Sequence, residues 1–187
     1  MKTPSFNIQQ VLENDKVRIH PLTENDFEQL YSIASDPLIW EQHPNKDRYK
    51  REVFENFFKG ALESKGAFLV FDRITDKLIG CSRFYEYSKE HNSIMIGYTF
   101  FARDYWGGKH NPSLKKLMLD YVFQFVDKVF FHVGASNVRS QKAMEKLGAK
   151  KVRELQVEYY GEPERTNIEY VIEKSEWGKP GAVKKVN

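Results

Sequence analysis

Two short stretches of this chain carry residue types that can hold an anion and activate a carbonyl. The first is Trp106-Gly107-Gly108-Lys109-His110-Asn111-Pro112. Glycines let a backbone approach a phosphate closely, and the N–H groups that open a helix have no intrahelical acceptor. The helix dipole adds positive potential at the same place, and Lys109 adds a formal charge. Two familiar phosphate patterns do not fit. A P-loop needs Gly where Arg103 stands and Ser or Thr where His110 stands, and no G-x-G-x-x-G is present. Taken alone, Gly107-Gly108 is equally a tight turn before a well-capped helix. The second stretch is Asn137-Val138-Arg139-Ser140, followed by Ala143 to Ala149. It offers a capping side chain and a hydroxyl at another helix start.

The elements around these stretches follow from apolar periodicity. Val17-Arg18-Ile19 is a short strand. Thr23 caps a helix with Asp26 at the third position, and Phe27, Leu30, Tyr31 and Ala34 follow at helical spacing until Pro37. The loop Leu38 to Pro44 carries unusually large side chains. A second helix is predicted from about Arg48, on the stripe Val53, Phe54, Phe57, Phe58, Ala61 and Leu62. Phe68 to Phe71, Leu78 to Tyr87 and Ile94 to Phe101 are strands with short polar connections, an antiparallel meander. Asn111 is the predicted N-cap and Pro112 the first residue of a helix with Leu114, Leu117, Met118, Tyr121, Val122 and Phe125 on one stripe. Val129 to Val133 is an apolar strand covered on both faces. Asn137 caps a short helix that Gly148 stops. Lys150 to Tyr159 and Arg165 to Ile172 form a last antiparallel pair. The strand–helix–strand from Ile94 to Val133 is a crossover, so those two strands are expected to be parallel and their ends to carry both helix starts on one sheet edge, where open α/β sheets bind ligands. The expected fold is α+β: a single mixed, mainly antiparallel sheet flanked by helices. One domain is expected over residues 1–177.

Composition narrows the function classes. The chain has 187 residues, 41% apolar and 29% charged, with fourteen Phe and ten Tyr, a composition that can bury a core. No apolar stretch follows Met1 to Asn7, no run reaches the length of a membrane span, and Cys81 is the single cysteine. These features lead us to expect a cytoplasmic protein with no membrane partner. The formal charge is +3, and Lys179, Lys184 and Lys185 stand in residues 178–187 without an acid, leaving 3 − 3 = 0 for the rest. That segment is expected to be a disordered basic tail. A neutral body argues against a nucleic-acid partner. His20, His43, His91, His110 and His132 show no metal-ligand spacing, and no metal is expected.

With these motifs in order, the chain resembles the GNAT superfamily of N-acetyltransferases, most closely the branch that includes ribosomal-protein N-terminal acetyltransferases. Three stretches carry the resemblance: Arg18 to Leu30, Ile96-Gly97-Tyr98-Thr99 through Trp106-Gly107-Gly108, and Asn137-x-x-Ser140 with Glu145-Lys146-x-Gly148. It spans about Val17 to Lys174 and implies acetyl-coenzyme A as cofactor. It implies that the strand end Phe100-Phe101-Ala102 splays from its parallel neighbour and pairs with the pantetheine arm. It implies that backbone N–H groups from Gly107 through Gly108, Lys109, His110 and Asn111 to Ser113 hold the pyrophosphate, beside Trp106. Asn137 and Arg139 complete the cofactor set, with Ser140 near the thioester sulfur. Where the family turn has a second small residue, this chain has Lys109, and the turn is expected to be reshaped rather than lost.

The implied reaction is direct attack of a neutral primary amine on the thioester. A lysine amine, with pKa near 10.4, and an α-amine, near 8, must first lose a proton. Ser140, Glu41 and Glu86 are the candidate catalytic groups, with Glu90 and His91 as further possible bases, because Met95 stands where relatives often carry Glu. Trp40, Glu41, Arg83, Tyr85 and Tyr98 are candidates for the acceptor pocket, and each of these also has an ordinary structural explanation. The acceptor is a small-molecule amine or a protein N-terminal amine. The oligomeric state is open, a homodimer included. The competing function is a coenzyme A-binding sensor without transfer activity.

Overall fold

The computed structural model describes residues 6–178 and the backbone of residues 184–185. The strands are β1 (Leu12–Glu13), β2 (Val17–Pro21), β3 (Ala67–Asp72), β4 (Leu78–Ser88), β5 (Ser93–Phe101), β6 (Lys128–Gly134), β7 (Lys150–Val157), β8 (Arg165–Glu173) and β9 (Lys184–Lys185). The α-helices are α1 (Phe27–Ala34), α2 (Arg51–Glu63), α3 (His110–Val122) and α4 (Val138–Leu147). One sheet runs in the order β7-β8-β6-β5-β4-β3-β2-β1-β9. Every neighbouring pair is antiparallel except β5 with β6, as the α3 crossover requires. This is the α+β architecture expected from the sequence.

Period-2 alternation divides the core between the two faces of the sheet. Phe68, Val70, Ile94, Ile96, Val129 and Phe131 pack with Leu114, Met118 and Met144 of α3 and α4. Ala67, Leu69, Cys81 and Phe100 pack with Leu30 of α1 and Phe54, Phe57 and Phe58 of α2. Strands covered on both faces read as continuous apolar runs, which is why Phe68 to Phe71 and Val129 to Val133 are legible. Among the described residues no helix is long and apolar enough to cross a membrane.

Several sequence expectations need correction. Helix α3 begins at His110, with Lys109 as N-cap, so Asn111 lies inside the first turn instead of capping it. Gly107, at φ +69°, makes the left-handed bend, while Lys109 sits in the ordinary right-handed region that any residue adopts. The lysine in the turn therefore adds no backbone strain. Arg48 belongs to a 3-10 turn, Lys46–Tyr49, ahead of α2. The Thr23–Asp26 pair is formed, with the Asp26 carboxylate accepting from the Thr23 N–H at 2.7 Å and hydroxyl at 2.8 Å, but it caps a 3-10 turn that leads into α1. Strand β1 escaped the pattern because two residues have no period. The segment expected to be a tail lies for the most part outside the described residues; its Lys184–Lys185 backbone pairs with Leu12–Glu13.

Asp72 connects the meander to the start of α3. One carboxylate oxygen accepts from the Thr75 N–H at 2.7 Å and the Ile74 N–H at 2.9 Å, and the other lies 2.7 Å from His110 Nε2. These bonds, the Thr75 N–H foremost, hold the Asp72 carboxyl at about 2. A depressed carboxyl pKa stabilises the fold at pH values above the unfolded value and loses that effect as pH falls through the folded one. Asp72→Ala should therefore lower the melting temperature at neutral pH, and the gap from wild type should close between pH 3.8 and about 2. Melting of both proteins across that range checks it; a gap that stays constant contradicts it.

Candidate active site

The site starts from a pairing that stops. Strands β5 and β6 are in register only at Ser93↔Lys128, Ile94↔Val129 and Met95↔Phe130. Beyond Met95 each strand stays attached to its outer neighbour, β5 to β4 as far as Phe101↔Gly80 and β6 to β8 as far as Gly134↔Asn167. A bulge explains the divergence: Tyr98 and Thr99 together oppose Ser82, and Tyr98 is held at φ +53°. Bulges bend a strand and increase its twist. The resulting gap holds a cleft of about 680 Å³, lined on one side by Ile96 to Phe101 and on the other by Phe131 to Gly134.

Both helix starts open on this cleft. Gly107, Gly108 and Asn111 line it from the α3 side, and Asn137 and Ser140 from the α4 side. Asn137 is the N-cap of α4, its side-chain oxygen accepting from the Ser140 N–H at 3.1 Å. Gly148 ends that helix in the left-handed region at φ +85°. Trp106 donates its indole N–H to the Phe101 carbonyl at 3.0 Å, and the Arg139 guanidinium lies 3.9 Å above the Trp106 ring. Arg139 also donates to the Ile39 carbonyl at 3.1 Å, joining α4 to the loop on the far side of the cleft. Asn111 Oδ1 is buried in the cleft wall with no hydrogen-bond partner. A buried amide oxygen without a donor is costly, and a ligand N–H would satisfy it. Open N–H groups, a left-handed glycine and an orphaned acceptor together fit a ligand with phosphates and amides.

Some expected cofactor residues lie elsewhere. The Ala102 N–H is used by the Ile79 carbonyl at 2.8 Å, and the Ser113 N–H by the Lys109 carbonyl at 3.0 Å. His110 is turned to Asp72, and neither it nor Lys109 lines the cleft. Phe100 and Phe101 do line it.

The opposite end of the cleft is aromatic. Tyr85, Tyr98 and Tyr159 form a chain of edge-to-face rings at 5.1 and 5.6 Å, and Trp40 closes one side. Burial, above all, raises all three phenols above their ordinary value, so they remain neutral donors. Arg48 crosses this group, its guanidinium 5.6 Å from the Trp40 ring and 5.7 Å from that of Tyr159. Its Nε and Nη2 donate to Glu162 Oε1 at 2.9 and 2.8 Å, and both side chains are almost fully buried. Arg48 Nη1 stands 3.2 Å from His43 Nε2, and burial followed by this cation pushes the imidazole well below its usual pKa. Neutral His43 is therefore an acceptor for Arg48.

The expected acids and bases do not gather here. Glu41 and Glu86 are exposed and neither lines the cleft, and among the described residues no carboxylate does. Glu90 and His91 are exposed at the β4–β5 turn. Arg83 is buried under Tyr98, 3.8 Å from its ring centre, and lies outside the cleft. Cys81 is buried, and that burial pushes its thiol up to about 12, so it is no nucleophile. Among the described residues no three metal-ligating side chains cluster.

Two cleft residues were not anticipated as site residues. His132, on β6, has Nε2 at 3.0 Å from Glu169 Oε2, and Arg153 donates to the other Glu169 oxygen at 3.0 Å. Burial raises the Glu169 carboxyl, but these two partners outweigh it and hold it below its usual range. A carboxylate only accepts, so the proton sits on Nε2 and Nδ1 keeps a lone pair. Lys115, on α3, is 5% exposed and lines the cleft one helical turn after Asn111. The sequence clue was a polar residue inside each of two apolar elements.

A family model described as an acetyltransferase (GNAT) domain matches residues 16–150. Among solved structures, the chain is similar to a GCN5-related N-acetyltransferase from Brucella melitensis, with 19% identity over 94% of this chain and 82% of the other and a TM-score of 0.77. It is similar to a Vibrio cholerae spermidine N-acetyltransferase solved with CoA and spermine, with 18% identity over 88% and 99% and a TM-score of 0.66. It is similar to Mycobacterium smegmatis RimJ in complex with CoA-disulfide, with 16% identity over 91% and 88% and a TM-score of 0.69. At these identities the structures support the fold.

Removing one member of a buried ion pair leaves the other charge uncompensated, at a cost of roughly 3–5 kcal/mol. Arg48→Met should lose about that much stability, and Arg48→Met/Glu162→Leu should regain most of it. Urea unfolding of the two singles and the double checks this; additive losses would contradict it.

Proposed function

We propose a direct acetyl transfer to an amine, from the premise that the chain belongs to the GNAT acetyltransferase family, whose model spans residues 16–150. The protein is an acetyltransferase, and acetyl-coenzyme A is its acyl donor. The observation that carries the proposal is the gap after Met95↔Phe130, which opens on two helix starts at one end and an aromatic pocket at the other. When bound, acetyl-coenzyme A supplies a thioester that an amine can attack, the C–N bond forming as the C–S bond breaks.

In this proposal the free N–H groups of Gly107, Gly108 and Asn111 face the diphosphate, with the dipole of α3 behind them. The edge of β5 from Ile96 to Phe101 offers its backbone to the pantetheine amides, and Asn111 Oδ1 and Asn137 take further N–H groups. Ser140 donates near the sulfur. Trp40, Tyr85, Tyr98 and Tyr159 surround the acceptor. Glu41, Glu86 and Arg83 are given no role.

The proton acceptor we assign is His132. His132 lines the cleft from β6, and Glu169 both fixes the tautomer that leaves Nδ1 a lone pair and stabilises the imidazolium that forms. The acceptor follows from charge. The Vibrio cholerae relative was solved with spermine, a polycation. Among the described residues of this chain no carboxylate lines the cleft. A single amine with an apolar or aromatic neighbour fits this pocket better than a polyamine. An α-amine, whose pKa is near 8, also gives up its proton more readily than a lysine side chain.

A thiol-release assay over an amine panel tests both assignments. Amino acid amides and short peptides with free N-termini should be acetylated at least tenfold faster than spermidine. His132→Ala should lower kcat by about 100-fold, at the low end of general-base effects, with the KM for acetyl-CoA unchanged. Preference for spermidine, or a His132→Ala enzyme within twofold of wild type, contradicts them.

A further inference from the structure

Lys115 carries a buried amine without a counter-charge. Its Nζ donates to Thr99 Oγ1 at 2.6 Å, and Thr99 Oγ1 is 2.8 Å from Ser82 Oγ. The Phe131 ring centre lies 5.9 Å away across the gap. Among the described residues no carboxylate acts on it as a counter-charge. The other titratable groups lining the cleft are His43, Arg48, Tyr85, Tyr98, Tyr105, His132, Arg139, Lys142, Lys146 and Tyr159, and the buried Cys81 thiol of β4 acts on the lysine from behind the cleft wall. None of them is an acid that could neutralise an ammonium. The hydroxyl of Thr99 belongs to the bulge in β5, four residues beyond the last β5–β6 pair at Met95, so the lysine stands beside the opened part of the gap.

Such a group costs stability. An unpaired buried ammonium is expensive, and a well-packed apolar residue of similar length is often neutral or stabilising in its place. Leu114, Met118 and Ile96, all fully buried, show what the surroundings favour. Burial pulls the Lys115 amine down to about 7, so it holds its proton far less tightly than an exposed lysine and can act as a base. The missing partner is an anion, and the cleft is its route in.

We propose that Lys115 is a catalytic residue: its ε-amine meets the sulfur end of coenzyme A, accepts the thiol proton and holds the sulfur as a thiolate. In that exchange the S–H bond breaks, an N–H bond forms, and an ammonium–thiolate pair replaces two neutral groups. The same cation favours departure of the thiolate during transfer. The inference rests on the assignment of coenzyme A to the β5–β6 gap.

The test compares coenzyme A with acetyl-CoA, which has no ionisable sulfur. Calorimetric titrations of both with wild type, Lys115→Met and Lys115→Arg give their affinities, and the ultraviolet absorbance of the thiolate gives the ionisation of bound coenzyme A. In wild type, bound coenzyme A should ionise at least one pH unit below a free thiol, whose value is near 8.5 going by cysteine. Lys115→Met should abolish that shift and cut the coenzyme A to acetyl-CoA affinity ratio at least tenfold, while melting at or above the wild-type temperature. Lys115→Arg should keep the thiolate. Should Lys115→Met not fold, Lys115→Gln replaces it with the same expectation for the thiolate. An unchanged affinity ratio and thiol ionisation in the charge-free variant, with acetyl-CoA still bound, overturns the role of Lys115 alone. Absence of acetyl-CoA binding to wild type overturns the cofactor assignment, and this inference with it.

Discussion

The rest of this structure depends on the β5–β6 ladder ending after three residue pairs. A parallel pair in the middle of a nine-stranded sheet would ordinarily continue, because each buried N–H and C=O needs a partner. Here Tyr98 and Thr99 occupy the space of one residue opposite Ser82, and β5 bends away. The sheet holds together because β4 and β8 retain the two strands on their outer edges. Backbone groups facing the gap are left for a ligand. Gly107 lets the chain turn from the end of β5 into α3, so the helix start faces the same opening.

The polar groups around the gap divide by what they cost. Arg48 and Glu162 are paired and neutralise one another, and His43 accepts from the same guanidinium. His132 is oriented by Glu169, itself held by Arg153. In these groups each charge is matched, while Glu162 Oε2 is buried without a hydrogen-bond partner. Asn111 Oδ1 and Lys115 are different: each is buried, each lines the cleft, and neither has the partner its chemistry calls for. Unsatisfied groups are retained at functional sites when a ligand completes them. The chain thus gives up stability in the same place that it gains a site.

The order of helices and strands was legible because both core faces are written in the sequence at period 2 or at helical spacing, and because Asn137 and Gly148 are strong helix punctuation. The helix starts that flank the cleft were legible for the same reason. Asn111 misled because Asn before Pro has the composition of a cap, while the left-handed turn at Gly107 allows the helix to begin earlier. Glu41 and Glu86 had the right chemistry, but side-chain exposure is a tertiary property, and both face solvent. The Arg48–Glu162 pair joins residues 114 positions apart, which no local pattern encodes. Lys115 drew no attention in the sequence, since its depth depends on how closely α3 lies on the opened strands.

Amide hydrogen exchange with and without acetyl-CoA tests the central claim most directly. Slowed exchange is expected in two patches, one along Ile96 to Phe101 and one from Gly107 to Asn111, with outer-edge ladders such as β7–β8 unchanged. Acetyl-CoA that leaves both patches untouched, or protects a different surface, would contradict the assignment of the cofactor to the gap.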